Sequence, residues 1–349
     1  MLSAIILDSI HKMHTERSVS GIYHILVGKR SAQTLQDAHL FKVTGYFGIS
    51  KKLSRKQFDQ RLDQLVDHQY VSKHTATSSY MRYFLTDKGK RVVSKHGLRT
   101  ILDKADGLTF EGMVEPFYQR LLLAIQTISN VHKGEKSFIP ILDDPITNHW
   151  VKSFYSQKRS NIKEVTTSLY QELSFLLAQL PDREATIFVE RLSGHREYGQ
   201  STEQLGDFYR LDVIDIQTII TIVTHHIMKQ VQTSPFPVLQ TFLDGLSSGT
   251  FLTQSAQRTK FFLDQGFSTE EIARRRRLKR NTIEDHIVEI VHSNPHISIS
   301  TYISKEDRAV IRAAIEHEQT RRLRDLKQYL GEPYSYFQIR LVLALMESQ

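Results

Sequence analysis

The chain has 349 residues, of which 46 are Lys or Arg, 38 are Asp or Glu and none is Cys. The absence of cysteine excludes disulfides, thiol nucleophiles and cysteine-ligated zinc, and it is typical of a cytoplasmic protein. No apolar run is long enough to span a bilayer, so a membrane is not among the expected partners.

The positive charge lies at the two ends of the chain. Residues 1–110 carry 18 Lys and Arg against 9 Asp and Glu, and residues 251–349 carry 16 against 13. Residues 111–250 carry 12 Lys and Arg against 16 Asp and Glu. This distribution predicts that the basic ends bind a polyanion, although a surplus of charge that only maintains solubility explains it equally well.

Apolar residues recur at spacings of three and four through most of the chain, and strand-like runs are few. The pattern predicts a mainly α protein of several helix-turn-helix or winged-helix units, one of them with a small β-wing. We expect a winged helix over residues 1–105, a helical middle domain with a degenerate helix-turn-helix over residues 106–240, and a helix-turn-helix domain over residues 241–349.

The first segment begins with MLSAIILDSIHKMH. It predicts a helix rather than a signal peptide, because no basic leader precedes it and no small-residue cleavage site follows it. Further along, Ser54 is a predicted cap for a helix whose apolar stripe includes Phe58 and Leu65. Two strand-like runs after this helix, Tyr70–Ser72 and Tyr80–Leu85, complete the pattern of a winged helix.

Basic residues gather where the capped helix starts, at Lys51, Lys52, Arg55 and Lys56. The helix dipole and the free backbone N–H groups of a first turn favour phosphate at such a place. The alternative is a winged helix that only packs on the rest of the protein or binds a protein partner.

The blocks YFGISKKLS, LDQLVDHQYVSK and YFLTDKGK occur here in that order. Together they resemble the RQC domain, the winged helix of RecQ helicases. The resemblance implies that Ser54, Arg55 and Lys56 contact DNA phosphates and that Tyr80 and Arg82 lie on a wing that contacts DNA. In that family the wing can separate strands, but the wing tip of this chain has no aromatic residue to stack on a base pair.

The middle segment resembles a helix-turn-helix of the sigma-factor kind, in which Thr202–Gly206 opens the second helix and Asp215–Ile222 lies in the third. The supposed recognition helix is poor in cations and has Asp212 and Asp215 at its start. We therefore expect an acidic helical module that docks on a basic protein or on the other domains, and not on DNA.

The third segment contains FFLDQGFSTEEIARRRRLKRNTIEDHIVEIV over residues 261–291. Gly266 is predicted to end one helix, and Ser268 with Glu271 forms a capping box that starts the next. A turn near Leu278 then leads into a third helix with isoleucines on its buried stripe. Two short helices joined by a tight turn are the arrangement that places a recognition helix in the major groove.

A run of cations follows the end of the second helix, the turn and the start of the third helix: Arg274, Arg275, Arg276, Arg277, Lys279 and Arg280. These residues are predicted to contact DNA phosphates, which would position the protein and make its affinity depend on salt. Arg280 and Asn281 are placed to reach base edges, whereas Glu284 and Asp285, predicted to be exposed, would repel a duplex. The alternative is a solvated charged turn on a helical protein.

The blocks GFSTEEIA, NTIEDHI, ISKED and LRDLKQYLGEPYSYFQIRLVLA continue in order to the end of the chain. Over residues 250–348 this pattern resembles the C-terminal helix-turn-helix domain of bacterial RecQ helicases. It is also similar to the end of YpbB-like proteins, which are stand-alone relatives without a motor. The resemblance implies DNA, duplex or branched, and a RecQ-family helicase as partners, and it leaves homo-oligomerisation open.

No segment has the phosphate-binding pattern GxxxxGK[ST] that a helicase motor needs. The nearest approach, 28–30, lacks the preceding glycine and the hydroxyl residue. We expect no enzymatic activity, no cofactor and no metal. The pair His225–His226 has neither a cysteine nor an acidic third ligand nearby and is interpreted as two ordinary histidines.

Three functional hypotheses follow from the sequence. The first is a non-enzymatic DNA-binding accessory protein for a RecQ-family helicase in DNA repair, recombination or replication. The second is a helix-turn-helix transcription regulator, which would prefer one DNA sequence strongly over random DNA. The third is a protein-only adaptor, which would bind DNA negligibly at physiological salt.

Overall fold

The computed structural model describes residues 1–13, 17–75, 81–135, 137–247, 252–294, 297–318 and 320–347. The protein is mainly α-helical with one small two-stranded sheet, β1 paired with β2, which confirms the predicted fold class. Residues 1–105 form α1 (Leu2–Met13), α2 (Val19–Leu26), α3 (Ala32–Leu40), α4 (Arg55–Asp67), β1 (Val71–Thr75), β2 (Met81–Leu85), α5 (Asp87–Val93) and α6 (His96–Leu102).

The rest of the described chain is helical apart from its connections. The helices that start within residues 106–240 are α7 (Val114–His132), α8 (Pro145–Lys158), α9 (Ile162–Leu177), α10 (Asp182–Val189), α11 (Thr202–Tyr209), α12 (Val213–Thr233) and α13 (Pro237–Leu243). Residues 241–349 contain α14 (Gln254–Asp264), α15 (Thr269–Arg276), α16 (Arg280–Ser293), α17 (Lys305–Glu318), α18 (Leu323–Leu330) and α19 (Tyr336–Glu347).

Contacts group the chain into two compact units, each built from separate stretches of sequence. Unit 1 comprises Met1–Asp8, Gly45–Ser72 and Leu85–Gly249. Unit 2 comprises Ser9–Thr44, Lys73–Phe84 and Thr250–Gln349. The division into three consecutive domains stays a prediction.

Unit 1 is organised around α12, a helix that is buried on nearly every side. Ile216, Ile219 and Val223 are fully buried, and α7, α9, α10, α11 and α13 all pack on α12. A helix that is apolar all round is stable only when neighbours cover it. His225 and His226 belong to this core: both are 1% exposed, and burial lowers the pKa of His226 to about 4.

A membrane span requires a helix that is both long and apolar. Among the residues that the structure describes, no single helix is long and apolar enough to cross a bilayer. The helices α11 and α12 meet the length and composition together, but only as a pair bent by 106°.

Unit 2 has α16 at its centre, because α3, α14, α15 and α19 all pack against it. Ile283, Ile287 and Ile290 are buried, which confirms the predicted apolar stripe of this helix. His39 of α3 stacks on His292 of α16, with ring centroids 4.8 Å apart and ring planes 12° apart. Burial lowers the pKa of His292 to about 3, so this imidazole is neutral at pH 7.

A close crossing of two backbone segments in unit 1 positions the residues that precede α4. The Gly107 N–H donates to the carbonyl of Gly45 at 2.9 Å. A Cβ atom on Gly107 would lie 2.1 Å from the carbonyl oxygen of Phe47, so only glycine fits. Backbone contacts at Gly45 and Phe47 therefore fix the position of the segment 45–53, which carries Lys51 and Lys52.

Candidate nucleic-acid interface

The C-terminal helix-turn-helix has the geometry that its sequence predicts. Gly266 adopts the left-handed conformation with φ +82° after α14. The Ser268 hydroxyl accepts from the Glu271 N–H, while the Glu271 carboxylate accepts from the Ser268 N–H at 2.8 Å, so the capping box is confirmed. Arg277 then takes φ +54° at the turn, which redirects the chain from α15 into α16.

Six of the seven predicted contact residues around this turn are exposed, the exception being Arg276. Arg274, Arg277, Lys279 and Asn281 are exposed, and within the described parts of the chain their side chains make no hydrogen bond or ion pair. Among the residues that the structure describes, no side chain caps the N-terminus of α16. Unsatisfied N–H groups, the positive end of the helix dipole and nearby cations together form a surface that attracts phosphate.

Arg275 is also exposed, but its guanidinium has an aromatic partner. The Cζ atom lies 4.2 Å from the centroid of the Phe267 ring, within the range of a cation–π contact. This contact orients Arg275 on the surface of α15. Phe267 was not singled out from the sequence, although an aromatic residue directly before a helix cap is a signal that can be sought.

Arg276 occupies a different environment from its neighbours. Its guanidinium donates to the carbonyl of Ser255 at 2.7 Å and the hydroxyl of Ser255 at 2.9 Å, and it also donates to the Thr259 hydroxyl. The adjacent His286 is buried, and burial, with the charge of Arg276, lowers its pKa to about 4. Arg276 thus ties α15 to α14, and its predicted contact with DNA stays a prediction.

Arg280 is paired with carboxylates of its own unit. Its Nη1 lies 3.0 Å from Glu270 Oε1 and its Nε lies 2.9 Å from Glu284 Oε1. These exposed ion pairs reduce the net positive charge that a DNA backbone meets at the start of α16. A phosphate that approaches Arg280 must compete with both carboxylates.

The acidic pair on α16 differs from expectation. Glu284 and Asp285 are half-buried and not fully exposed, and each is ion-paired: Glu284 with Arg280 and Asp285 with Arg340 of α19. Arg340 is 55 residues from Asp285 in sequence, so no local pattern identifies this pairing. Two arginines therefore offset the repulsion that these carboxylates would exert on a duplex.

The start of α4 is the second predicted contact region, and it lies in unit 1. The Ser54 hydroxyl accepts from the Gln57 N–H at 3.2 Å, and the Gln57 side chain accepts from the Ser54 N–H at 3.0 Å. This capping box confirms the predicted start of the helix. It also engages the Ser54 hydroxyl, whose contact with phosphate stays a prediction.

The four cations of this region differ in their pairing. Lys52 and Lys56 are exposed, and the described residues give their side chains no ion pair. Lys51 lies 3.8 Å from Glu111, and Arg55 Nε lies 2.9 Å from each carboxylate oxygen of Asp59. The structure therefore brings all four cations to one helix start and leaves Lys52 and Lys56 with the least compensated charge.

The wing carries the last two predicted contacts. Arg82 lies on β2 and is half-buried. Tyr80 and most of the wing tip lie outside the described residues. On the strands themselves, His74 and Phe84 pack edge to face with centroids 5.3 Å apart.

A second helix-turn-helix in the middle of the chain repeats the local geometry of the first. Ser201 caps α11 through a capping box with Gln204, and the turn passes through Arg210 at φ +54°. The predicted positions of both helices are confirmed. Capping box and left-handed arginine occur at the same spacing in both motifs, as Ser201 to Arg210 and as Ser268 to Arg277.

The recognition helix of this second motif is engaged within unit 1. Asp212 forms an ion pair with Arg61 of α4, and Asp215 lies 3.2 Å from the same guanidinium. Asp215 also accepts from the Leu2 N–H at 2.6 Å. Burial raises the pKa of Asp215, but the α-amino group of Met1 and Arg61 outweigh it, so this pKa lies below its ordinary value.

A metal centre would need several ligating side chains close together. Within the described parts of the chain, no group of three or more His, Cys, Asp or Glu side chains is arranged to hold a metal ion.

Two domain families match the chain: the RQC domain over residues 2–103 and a helix-turn-helix domain over residues 255–343. Both kinds of domain bind DNA and are related to the C-terminal region of RecQ helicases, which confirms the resemblances seen in the sequence. Protein YpbB of Bacillus subtilis (strain 168) is 32% identical over 346 residues, which cover 99% of this chain and 97% of that protein. No solved structure matches the chain.

Proposed function

We propose a function from the premise that this chain belongs to the YpbB family. The protein would be a non-enzymatic, cytoplasmic DNA-binding protein that assists a RecQ-family helicase. Its role would lie in DNA repair, recombination or replication. The DNA-binding domains would hold duplex or branched DNA, and a separate protein would supply the motor, because this sequence has no phosphate-binding loop.

The observation that carries the proposal is the exposed positive charge at the C-terminal helix-turn-helix. Arg274, Arg277 and Lys279 surround the uncapped start of α16. Lys52 and Lys56 provide a similar surface at the start of α4 in unit 1. Cations in these positions neutralise phosphates whatever the sequence, which suits a protein that recognises DNA shape.

The transcription regulator remains a second candidate because of one observation. Glu284 and Asp285 are paired with arginines, which offset the charge of the two carboxylates. The repulsion between the recognition helix and the edge of a base is therefore reduced. Asn281 is exposed at the start of that helix and could donate to and accept from adenine. An affinity ratio above about a thousand for one sequence over random DNA would support the regulator.

DNA binding is tested by measuring affinity for a fluorescent duplex and a fluorescent fork across a range of salt concentrations. The double variants Lys52→Ala with Lys56→Ala, and Arg274→Ala with Lys279→Ala, should each bind both DNAs more weakly. The slope of log affinity against log salt should fall by about 0.9 for each phosphate that the variant no longer neutralises.

Matched controls remove exposed lysines away from both helix starts. Lys163→Ala on α9 serves unit 1 and Lys305→Ala on α17 serves unit 2, since both side chains are exposed. The site assignment fails if the two double variants keep the wild-type slope. It also fails if the control variants lower the slope as much.

The helicase partnership needs its own experiment. The tagged protein is used to capture partners from a cell extract, with and without nuclease. A RecQ-family helicase that remains bound after nuclease treatment supports a direct partnership. Loss of the helicase on nuclease treatment would show that the two proteins only share DNA.

A further inference from the structure

Three phenylalanine rings form a connected aromatic surface at the end of α14 in unit 2. Phe261 and Phe262 contact each other on that helix, with ring centroids 5.6 Å apart. Phe262 also contacts Phe267, which precedes α15, at 5.8 Å between centroids. Phe261 is 59% exposed, and the other two residues are half-buried. The cluster therefore belongs to the surface of the motif, and Phe261 presents its ring to the solvent.

Arginines surround this aromatic surface. The Arg275 guanidinium contacts the Phe267 ring, and because Arg275 is exposed, the guanidinium is also accessible to a ligand. Arg258 lies on α14 one turn before Phe261 and on the same side of the helix. Arg258 and Arg274 are both exposed, and among the described residues neither forms an ion pair.

The carboxylates near the aromatic surface are engaged by other groups. Asp264 lies 2.6 Å from the ammonium group of Lys260, and Glu270 lies 3.0 Å from the guanidinium of Arg280. The Glu271 carboxylate accepts a hydrogen bond in the capping box of α15 and offsets part of the charge of the neighbouring arginines. The three exposed arginines outnumber this one carboxylate, so the border of the surface keeps an excess of positive charge.

The recognition helix of the same motif has few exposed side chains. On α16 only Arg280 and Asn281 are exposed, because α3, α14, α15 and α19 pack against the rest of the helix. Reading of a duplex requires side chains that reach the edges of the bases. The aromatic rings and most of the exposed cations of the motif lie instead on α14, α15 and the connections that follow these two helices.

Exposed rings beside cations suit a ligand in which flat bases alternate with phosphates. Unpaired bases stack on aromatic rings and on the planes of arginines, while cations bind the phosphates. Within a duplex, neighbouring base pairs already cover both faces of each base, so those faces cannot stack on a protein ring. A surface that combines rings and arginines therefore favours a single strand over a duplex.

We infer that this aromatic surface binds the unpaired bases of single-stranded DNA. One base stacks on Phe261 and another on the guanidinium of Arg275. Arg258 and Arg274 contact the phosphates of the same strand. The inference rests on the proposed DNA-binding function and extends it from duplex DNA to single strands, which a helicase produces as it opens a duplex.

The test measures the affinity of the full chain for three fluorescent ligands of the same length at one salt concentration: an oligothymidine, an abasic strand and a duplex. The abasic strand has the same phosphates as the oligothymidine but no bases. The wild type should bind the oligothymidine at least about fivefold more tightly than the abasic strand, since one stacked base is worth that much in affinity. A fluorescent base analogue within the strand should change its emission on binding.

Phe261→Leu is the informative variant because leucine keeps an apolar, helix-forming side chain and removes the ring. It should keep the wild-type hydrogen exchange of α14 and α15, bind the duplex as the wild type does, and lose at least threefold of the preference for bases. Phe261→Tyr should retain that preference, because the ring is still present. Arg275→Lys should lower the preference, because an ammonium group has no plane on which a base can stack.

Phe175→Leu is the matched control. Phe175 lies on α9 of unit 1, is 62% exposed and contacts the Phe236 ring with centroids 6.0 Å apart. It therefore matches Phe261 in residue type, exposure and aromatic neighbour. The control variant should keep the full preference for the oligothymidine over the abasic strand.

The outcomes separate the two proposals. Equal binding of the oligothymidine and the abasic strand by the wild type would overturn the stacking surface and leave the DNA-binding function standing. A wild type that binds none of the three ligands even at low salt would overturn both. If Phe261→Leu keeps the wild-type preference for bases but no longer captures the helicase from an extract, the surface is a protein interface and the inference is overturned. An equal loss of preference in Phe175→Leu would also overturn the assignment to this surface.

Discussion

Arg276 and Arg274 are two residues apart in one arginine run, yet their removal should affect different properties of the protein. Arg276→Ala should destabilise unit 2 without a selective effect on the salt slope of DNA binding. Arg274→Ala should leave stability nearly unchanged and lower that slope by about 0.9. The reason is that the Arg276 guanidinium is hydrogen-bonded inside the unit, whereas Arg274 is exposed.

The magnitude follows from the contacts of each side chain. Arg276 donates to the carbonyl and hydroxyl of Ser255 and to the hydroxyl of Thr259. Hydrogen bonds to a charged group contribute about 1.5–3 kcal/mol each, but water can replace part of them because the side chain is only half-buried. We therefore expect a loss of about 2–3 kcal/mol for Arg276→Ala, and a change within about 0.5 kcal/mol for Arg274→Ala.

The urea unfolding of the full chain must be followed with a signal that comes from unit 2 alone. The only tryptophan, Trp150, belongs to unit 1, so its fluorescence does not report the unfolding of unit 2. Hydrogen exchange of the amides of α14, α15 and α16, followed by mass spectrometry in increasing urea, measures the stability of the relevant helices. Arg276→Lys is a useful control, since an ammonium group cannot make the same forked contacts and should restore only part of the loss.

The result that would refute this reasoning is equal stability of the two alanine variants. It would mean that the hydrogen bonds of Arg276 contribute nothing net, and that the whole run is a solvated charged surface. A selective fall of the salt slope in Arg276→Ala, with exchange unchanged, would instead assign Arg276 to the DNA interface.

Three further predictions concern titration and backbone conformation. Asp215→Asn should weaken unit 1 by about 2 kcal/mol at neutral pH, because it removes the carboxylate that pairs with Arg61 and the α-amino group of Met1. Folding lowers the pKa of Asp215, so this contribution is present above the unfolded pKa and is lost as pH falls through the folded pKa, where acid unfolding of the wild type and the variant should converge. Unit 2 should lose stability as pH falls from about 6.5, by up to about 1.4 kcal/mol per pH unit for His292, since only the unfolded chain takes up that proton, and His292→Leu should flatten this dependence in pH-resolved hydrogen exchange. Arg277→Gly should unfold at no lower urea concentration than wild type because its φ is +54°, whereas Arg274→Gly, in the interior of α15, should cost about 1 kcal/mol.

Local structure could be predicted well from the sequence because its signals are local. The capping residues Ser54, Ser201 and Ser268 stand three residues before a Gln or Glu, and each starts a helix with a capping box. Gly266 marks the end of α14 in the same way. These motifs act over a few residues, so a single sequence contains all the information that they need.

Pairing between distant residues could not be predicted. Asp285 and Arg340 are 55 positions apart, and Arg61 and Asp212 are 151 positions apart. Which cations remain exposed depends on such pairings, because a carboxylate from another helix can neutralise any one of them. The sequence therefore located both cationic clusters but could not rank their members.

The two helix-turn-helix motifs show why geometry by itself does not determine DNA binding. Both have the same capping box, the same left-handed arginine and the same turn length before the recognition helix. They differ in charge where that helix begins, with Asp212 at the cap position in one and Lys279 in the other. Asp212 and the buried Asp215 both pair with Arg61 of α4, whereas Lys279 stays exposed without an ion pair among the described residues. The same local fold therefore packs within unit 1 in the middle motif and provides a phosphate-attracting surface in the C-terminal motif. The sign of the charge at the start of the recognition helix distinguishes the two uses.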